Sequence, residues 1–149
     1  MRGVPPRTDM MKIHRVAGLA AVACAFLLRA PVLHAQGAPG EYPNLSPAEA
    51  REVIGKRTGD PGFVLLDVRT PKEFQAERIE GAVMVDYLSP AFREEMAKFD
   101  REKTYLVYCR TGNRTVGALK VMRELGFRNV LHLSSGITKW KEAGYPTIR

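Results

Sequence analysis

Four short, almost wholly apolar runs, each followed by a segment with helical spacing, constrain this 149-residue chain more than any other feature. They are Phe63-Val64-Leu65-Leu66, Ala82-Val83-Met84-Val85, Tyr105-Leu106-Val107-Tyr108 and Val130-Leu131-His132-Leu133. A strand with one wet face alternates apolar and polar residues, whereas a strand covered on both faces reads as a continuous apolar run. The helical segments are equally legible. Ser46-Pro47-Ala48-Glu49 supplies an N-cap, a proline at the first helical position and a glutamate at N3, which together make a capping box. Ala50, Val53 and Ile54 give that helix an apolar face, and Thr58-Gly59-Asp60-Pro61-Gly62 ends it. Pro71 to Ala76 predicts a short helix. Ser89-Pro90 opens another, on which Phe92, Met96 and Phe99 share one side. A fourth, Val116 to Leu125, places Ala118, Met122 and Leu125 together ahead of Gly126, and Gly136 to Ala143 closes the chain before Gly144. Strands alternating with helices over about a hundred residues predict an α/β fold with a parallel sheet.

The third run ends in Cys109-Arg110-Thr111-Gly112-Asn113-Arg114-Thr115, where a strand stops and a helix starts. Open α/β sheets build their sites outside the carboxyl ends of strands. There a helix N-terminus and a loop of backbone N–H groups favour negative charge. A thiol so placed is expected to ionise readily, and the thiolate is the reactive form. Gly112 allows a backbone geometry closed to other residues, so the loop can curl its N–H groups inward. Thr111 and Asn113 would add mainly backbone donors. Arg110 and Arg114 add two cations whose planar forks suit oxyanions. The plainer alternative is a cysteine that only packs; Gly112 and two arginines weigh against it. No histidine base is required if the thiol is already ionised, and His132 reads as a strand-face residue. Asp67, Arg69 and Glu73 read as braces of the loop and sheet, Trp140 as packing for the last helix, and Asp86 and Tyr87 as candidates for the rim.

The amino terminus reads as an address. Lys12, His14 and Arg15 precede an apolar stretch from Val16 to Leu28, followed by Arg29 and a small-residue site ending at Ala35. This is the order of a secretory signal peptide over residues 1–35, with cleavage expected before Gln36. The stretch is shorter than the roughly 20 residues of a spanning helix, so no stable membrane insertion is expected after cleavage. Export to the periplasm or medium follows. Two alternatives are lipidation at Cys24, in the loosely lipoprotein-like Ala21-Val22-Ala23-Cys24, and an uncleaved leader acting as tether. Met10 and Met11 are alternative starts to Met1. Residues 36–43 form a Gly/Pro-containing lead-in, and 44–149 the domain. The leader holds Arg2, Arg7, Lys12, Arg15 and Arg29 against Asp9, so its removal lowers the net charge from +7 to +3. With no long basic run or interleaved aromatic stripe, nucleic acid is not an expected partner. Of the two cysteines only Cys109 stays in the mature part, and of the three histidines only His132. A lone cysteine in an exported chain is a candidate reactive thiol. One Cys and one His are too few for a structural zinc site.

Three blocks resemble one known family across Asn44 to Ile148. They are Asp67-Val68-Arg69 with Glu73-Phe74 and Ile79-Glu80-Gly81-Ala82; Val107 to Thr115; and Leu133, Gly136, Trp140, Gly144 and Pro146. Together they resemble the single-domain rhodaneses of the sulfurtransferase superfamily. The resemblance implies a three-layer α/β/α sandwich around a five-stranded parallel sheet. It implies a Cys109 that accepts a sulfane sulfur from a small anionic donor such as thiosulfate and yields it to a thiophilic acceptor. The covalent persulfide would then be the only cofactor. Arg78 stands where the family often has histidine, and Ser135 where a first glycine often precedes Gly136. Two alternatives stay open: a carrier or binding module without turnover, and a Cys-dependent phosphatase. The latter uses Cys-x5-Arg, and position 115 holds Thr115, with Arg114 one place too early.

Overall fold

The computed structural model describes residues 41–149. The leader, with Cys24, Met10 and Met11, and the lead-in up to Gly40 lie outside the described residues. From there the chain runs β1 (Asn44–Leu45), α1 (Pro47–Arg57), β2 (Phe63–Asp67), α2 (Pro71–Ala76), β3 (Val83–Met84), α3 (Phe92–Ala97), β4 (Thr104–Tyr108), α4 (Asn113–Glu124), β5 (Val130–Leu133) and α5 (Gly136–Glu142). The strands form one sheet in the order β1-β5-β4-β2-β3, with every pairing parallel. All strands therefore end at the same edge of the sheet, with β4 in the middle.

Period-two alternation sorts each strand onto two faces. Leu66, Tyr105 and Val107 meet Phe92 and Met96 of α3 and Ala118 and Met122 of α4. Leu65, Leu106 and Tyr108 meet Ala50 of α1 and Ile137 and Trp140 of α5. Both faces of β4 are thus covered, and each large side chain buried there contributes about 1.5–3 kcal/mol relative to exposure. Trp140 packs as expected and donates its indole N–H to the Pro146 carbonyl at 2.9 Å. Ser46 and Glu49 form the capping box of α1, and Thr70 and Glu73 form a second one at α2.

Three elements differ from the sequence reading. The run Ala82 to Val85 yields only the two-residue β3 at the sheet edge, with Val83 44 % exposed, so an apolar run here is not a strand covered on both faces. Ser89-Pro90 makes a turn, its Oγ accepting from the Ala91 N–H, and α3 starts only at Phe92. Helix α4 starts at Asn113, inside the cysteine segment, which makes the loop shorter and its last residues helical.

Candidate active site

Strand β4 stops at Tyr108 and α4 begins at Asn113, so Cys109 to Gly112 make the whole turn. The start of α5 shapes it from behind. The Ile137 N–H donates to the Cys109 carbonyl at 2.9 Å, and the N–H and hydroxyl of Thr138 donate to the Arg110 carbonyl at 3.1 and 2.9 Å. No peptide bond among the described residues is cis. In a trans peptide the N–H opposes the C=O, so the N–H groups of Arg110 and Thr111 point away from α5. Gly112 sits at φ +99°, and its N–H lies 3.2 Å from Cys109 Sγ. As N-cap of α4, Gly112 brings no side chain to cap the first turn, which leaves those amides to face an anion. A Cβ on Gly136 would stand 2.4 Å from the Arg110 oxygen and 2.6 Å from the Cys109 oxygen, so α5 can back the loop only because position 136 is glycine.

Cys109 itself is 1 % exposed and packs in the cluster of Val107 and Ala118. The packing half of the plainer alternative therefore holds, while the aimed amide sets this thiol apart from one that only fills space. Thr111 and Asn113 are exposed beside it, Arg110 is exposed, and Thr115 is buried.

Arg114 is not the free fork that the sequence suggested. Both of its terminal nitrogens lie 2.7 Å from the Glu73 carboxylate oxygens. Glu73 also accepts from the N–H and hydroxyl of Thr70, so one carboxylate ties the α2 cap to the first turn of α4. The Arg114 hydrogen bonds hold the Glu73 carboxyl well below its usual range, at about 2. A carboxylate depressed on folding stabilises the fold above its unfolded value of about 4.3, and that contribution is lost as pH falls towards about 2. Replacing Glu73 with glutamine is expected to flatten the stability-versus-pH curve in this window, as read by thermal melts at stepped pH. A curve of unchanged slope would refute the pairing.

Asp67 and Arg69 brace the floor. Both are buried, with contacts of 2.6–3.0 Å, and Arg69 donates further to the Glu77 carbonyl. Asp67 is the register partner of Tyr108, the residue before the cysteine, and the Arg69 guanidinium lies 5.7 Å from the Tyr108 ring centre. The Tyr108 hydroxyl, its ionisation pushed up by burial, accepts from the Ile79 N–H. Removing one partner of such a buried pair typically costs about 3–5 kcal/mol.

Two residues that shape the site, Ile137 and Thr138, carried no sequence signal. They hold the loop through their main-chain N–H groups, with the Thr138 hydroxyl added, and composition does not mark such contacts. His132 lies within hydrogen-bond reach of Thr115, a contact that depends on strand register. Tyr87 stacks edge-on against Phe92 at 5.2 Å and brings its hydroxyl down on Gly117 of α4, while the Leu88 N–H closes a turn on the Asp86 carboxylate. Of the two family departures, Arg78 lies over the Phe74 ring and bridges to Ile148. Ser135 keeps an ordinary backbone (φ −91°, ψ −4°), and its Oγ is the one buried side-chain polar atom without a partner among the described residues.

Fold and loop together define a class: a parallel α/β domain with a cysteine at the carboxyl edge of its central strand. The family model of the rhodanese-like domain matches residues 47–143, and the chain belongs to that family. Among curated relatives, an uncharacterised protein of Synechocystis is 36 % identical over 88 residues, covering 58 % of this chain and 47 % of that protein. The "probable adenylyltransferase/sulfurtransferase MoeZ" of Mycobacterium tuberculosis is 32 % identical over 116 residues, covering 76 % of this chain and 28 % of MoeZ. The chain thus spans half or less of these relatives. A rhodanese-related crystal structure from Thermoplasma volcanium is 30 % identical with a TM-score of 0.61, covering 72 % of this chain and 98 % of that one.

Proposed function

We propose that the domain is a thiosulfate-type sulfurtransferase in which Cys109 carries the sulfur. The observation that carries the reading is the Gly112 N–H aimed at Cys109 Sγ from 3.2 Å, in a loop whose outer carbonyls are held by α5. Membership of a family that includes a protein named as a sulfurtransferase supports it.

In the first half-reaction the Cys109 thiolate attacks the outer sulfur of thiosulfate. A new S–S bond forms, the bond to the sulfonate breaks, and sulfite leaves with its electron pair. The persulfide keeps the single negative charge that the thiolate had. In the second, a nucleophile such as cyanide or a thiolate attacks the outer sulfur, and the persulfide bond breaks to regenerate the thiolate. Cyanide leaves as thiocyanate. Every species on the sulfur is anionic, so donors fixed in advance serve thiolate, donor and persulfide alike. The amides of Arg110, Thr111, Gly112 and Asn113 supply that field, and Thr115 supports it from beneath. Arg110 is the exposed cation at hand for the donor, while Arg114, neutralised by Glu73, chiefly holds the loop in shape. The chemistry asks for no cofactor beyond the persulfide. We further place the domain outside the cytoplasm, on the strength of the leader sequence alone.

Reduced protein incubated with thiosulfate is expected to gain one sulfur on Cys109, read by intact and peptide mass spectrometry. A free thiol that gains nothing would defeat the proposal. Thiocyanate production distinguishes an enzyme from a carrier, which would load sulfur and release it negligibly. Aryl phosphate hydrolysis in parallel is expected to be absent, because Thr115 stands where the phosphatase loop needs arginine.

A further inference from the structure

Strand β5 is apolar except at one position, His132, whose imidazole is 6 % exposed. Burying a polar ring costs free energy unless each of its nitrogens finds a partner, and an apolar residue would fill the same space without that demand. Both nitrogens are engaged. Nε2 lies 2.5 Å from the Thr115 hydroxyl, and Nδ1 lies 2.9 Å from Oδ1 of the Asn44 side-chain amide on the neighbouring strand β1. The Thr115 hydroxyl donates in turn to the Gly112 carbonyl. A hydroxyl has a single hydrogen to give, so Thr115 must accept from His132, and Nε2 carries the proton. Burial lowers the ionisation of His132, which favours the neutral ring, so Nδ1 is left as an acceptor. An acceptor there cannot pair with Oδ1, so the Asn44 amide is turned by a half-turn, which exchanges its two nearly equivalent ends and presents its NH2 to Nδ1. The donors run in one direction, from Asn44 through His132 and Thr115 to Gly112.

Gly112 is also the residue whose N–H points at Cys109 Sγ. It has no side chain to resist rotation, and its φ of +99° lies in a region of wide freedom for glycine. Pinning its carbonyl therefore fixes the peptide on one side and limits the swing of the N–H on the other.

We propose that His132 is a positioning residue for the Cys109 sulfur, acting through Thr115 to hold the Gly112 N–H on target. The inference deepens the sulfurtransferase reading, yet it concerns the sulfur's reactivity and can be measured without turnover.

The test is the rate of Cys109 alkylation by iodoacetamide at fixed neutral pH, on the full chain, with melting curves alongside. His132→Phe keeps a ring and removes both nitrogens, and Thr115→Val keeps the shape and removes the hydroxyl. Each is expected to slow alkylation about tenfold, the worth of one hydrogen bond to a charged group. His132→Gln retains an N–H within reach of Thr115, and Thr115→Ser retains the hydroxyl. These are expected to stay within about threefold of the parent. The double variant His132→Phe/Thr115→Val is expected to be no slower than either single one, because both cut the same chain. The 15N shifts of His132 should show a protonated Nε2 and a bare Nδ1. Parent-like rates for the Phe and Val variants, equal losses in the Phe and Gln variants, multiplicative losses in the double variant, or the opposite tautomer would each overturn the proposal. If the parent takes no sulfur from thiosulfate while this alkylation pattern holds, the sulfurtransferase reading fails and the role of His132 stands.

Discussion

Replacing Cys109 with serine is expected to abolish both the sulfur adduct and thiocyanate formation while leaving the fold intact. Serine differs by a single atom and can still accept from the Gly112 N–H, so the loop has no reason to rearrange. A hydroxyl, however, remains protonated at neutral pH and gives no thiolate to attack a sulfane sulfur, and the thiolate is what this chemistry needs. The loss should be complete within detection, with a melting temperature close to that of the parent. Thiocyanate production by the serine variant at the parent's rate would show that sulfur moves by another route.

The second large effect is expected at a residue remote from the donor. In Gly136→Ala the new methyl would stand 2.4 Å from the Arg110 oxygen, 2.5 Å from its carbonyl carbon and 2.6 Å from the Cys109 oxygen. All three are backbone atoms, and none can swing aside. The φ of +65° adds its own penalty. A left-handed alanine costs about 1–2 kcal/mol and overpacking typically about 1–3 kcal/mol, so a loss of roughly 2–5 kcal/mol is expected by denaturant unfolding. Sulfur transfer should fall too, because α5 must lift away from the loop it holds. Gly59→Ala is the control: its φ is +80°, and nothing lies within 4 Å of the added methyl. It should show the smaller backbone penalty alone, with transfer unchanged. Equal destabilisation by the two variants would refute the backing role of α5.

How far the sequence could be read depended on the kind of force at each position. Strands β2, β4 and β5 were legible because two covered faces demand apolar runs, broken in β5 only by His132, and Val130 to Leu133 was found to the residue. The cap of α1 was legible because a capping box is a local hydrogen-bond pattern, whereas at α2 only the helix Pro71 to Ala76 was read and its Thr70–Glu73 box came from the structure. Strand β1 was not, since Asn44-Leu45 is too short to carry any period, and the count of five strands came only from the family resemblance. Cys109 and Gly112 stood out by residue type. The pairing of Arg114 with Glu73 did not, because 41 positions separate them and only the fold brings α2 beside α4. For the same reason His132 read as a strand-face residue, which it is, while its reach to Thr115 depends on how β5 lies against α4.

The family match begins at residue 47, yet Asn44 and Leu45 already form the outermost strand, and the Tyr42 hydroxyl is already anchored on the Phe127 carbonyl. An expression boundary drawn at the matched span would shear off that strand. It would leave β5 as a raw margin of unpaired peptide groups, the kind of surface that recruits foreign strands and seeds aggregation. The same cut would strip Asn44 from the imidazole it serves. Excising this domain cleanly therefore means starting upstream of Tyr42, and a preparation that clumps or reacts sluggishly when cut shorter would have its cause in two missing residues.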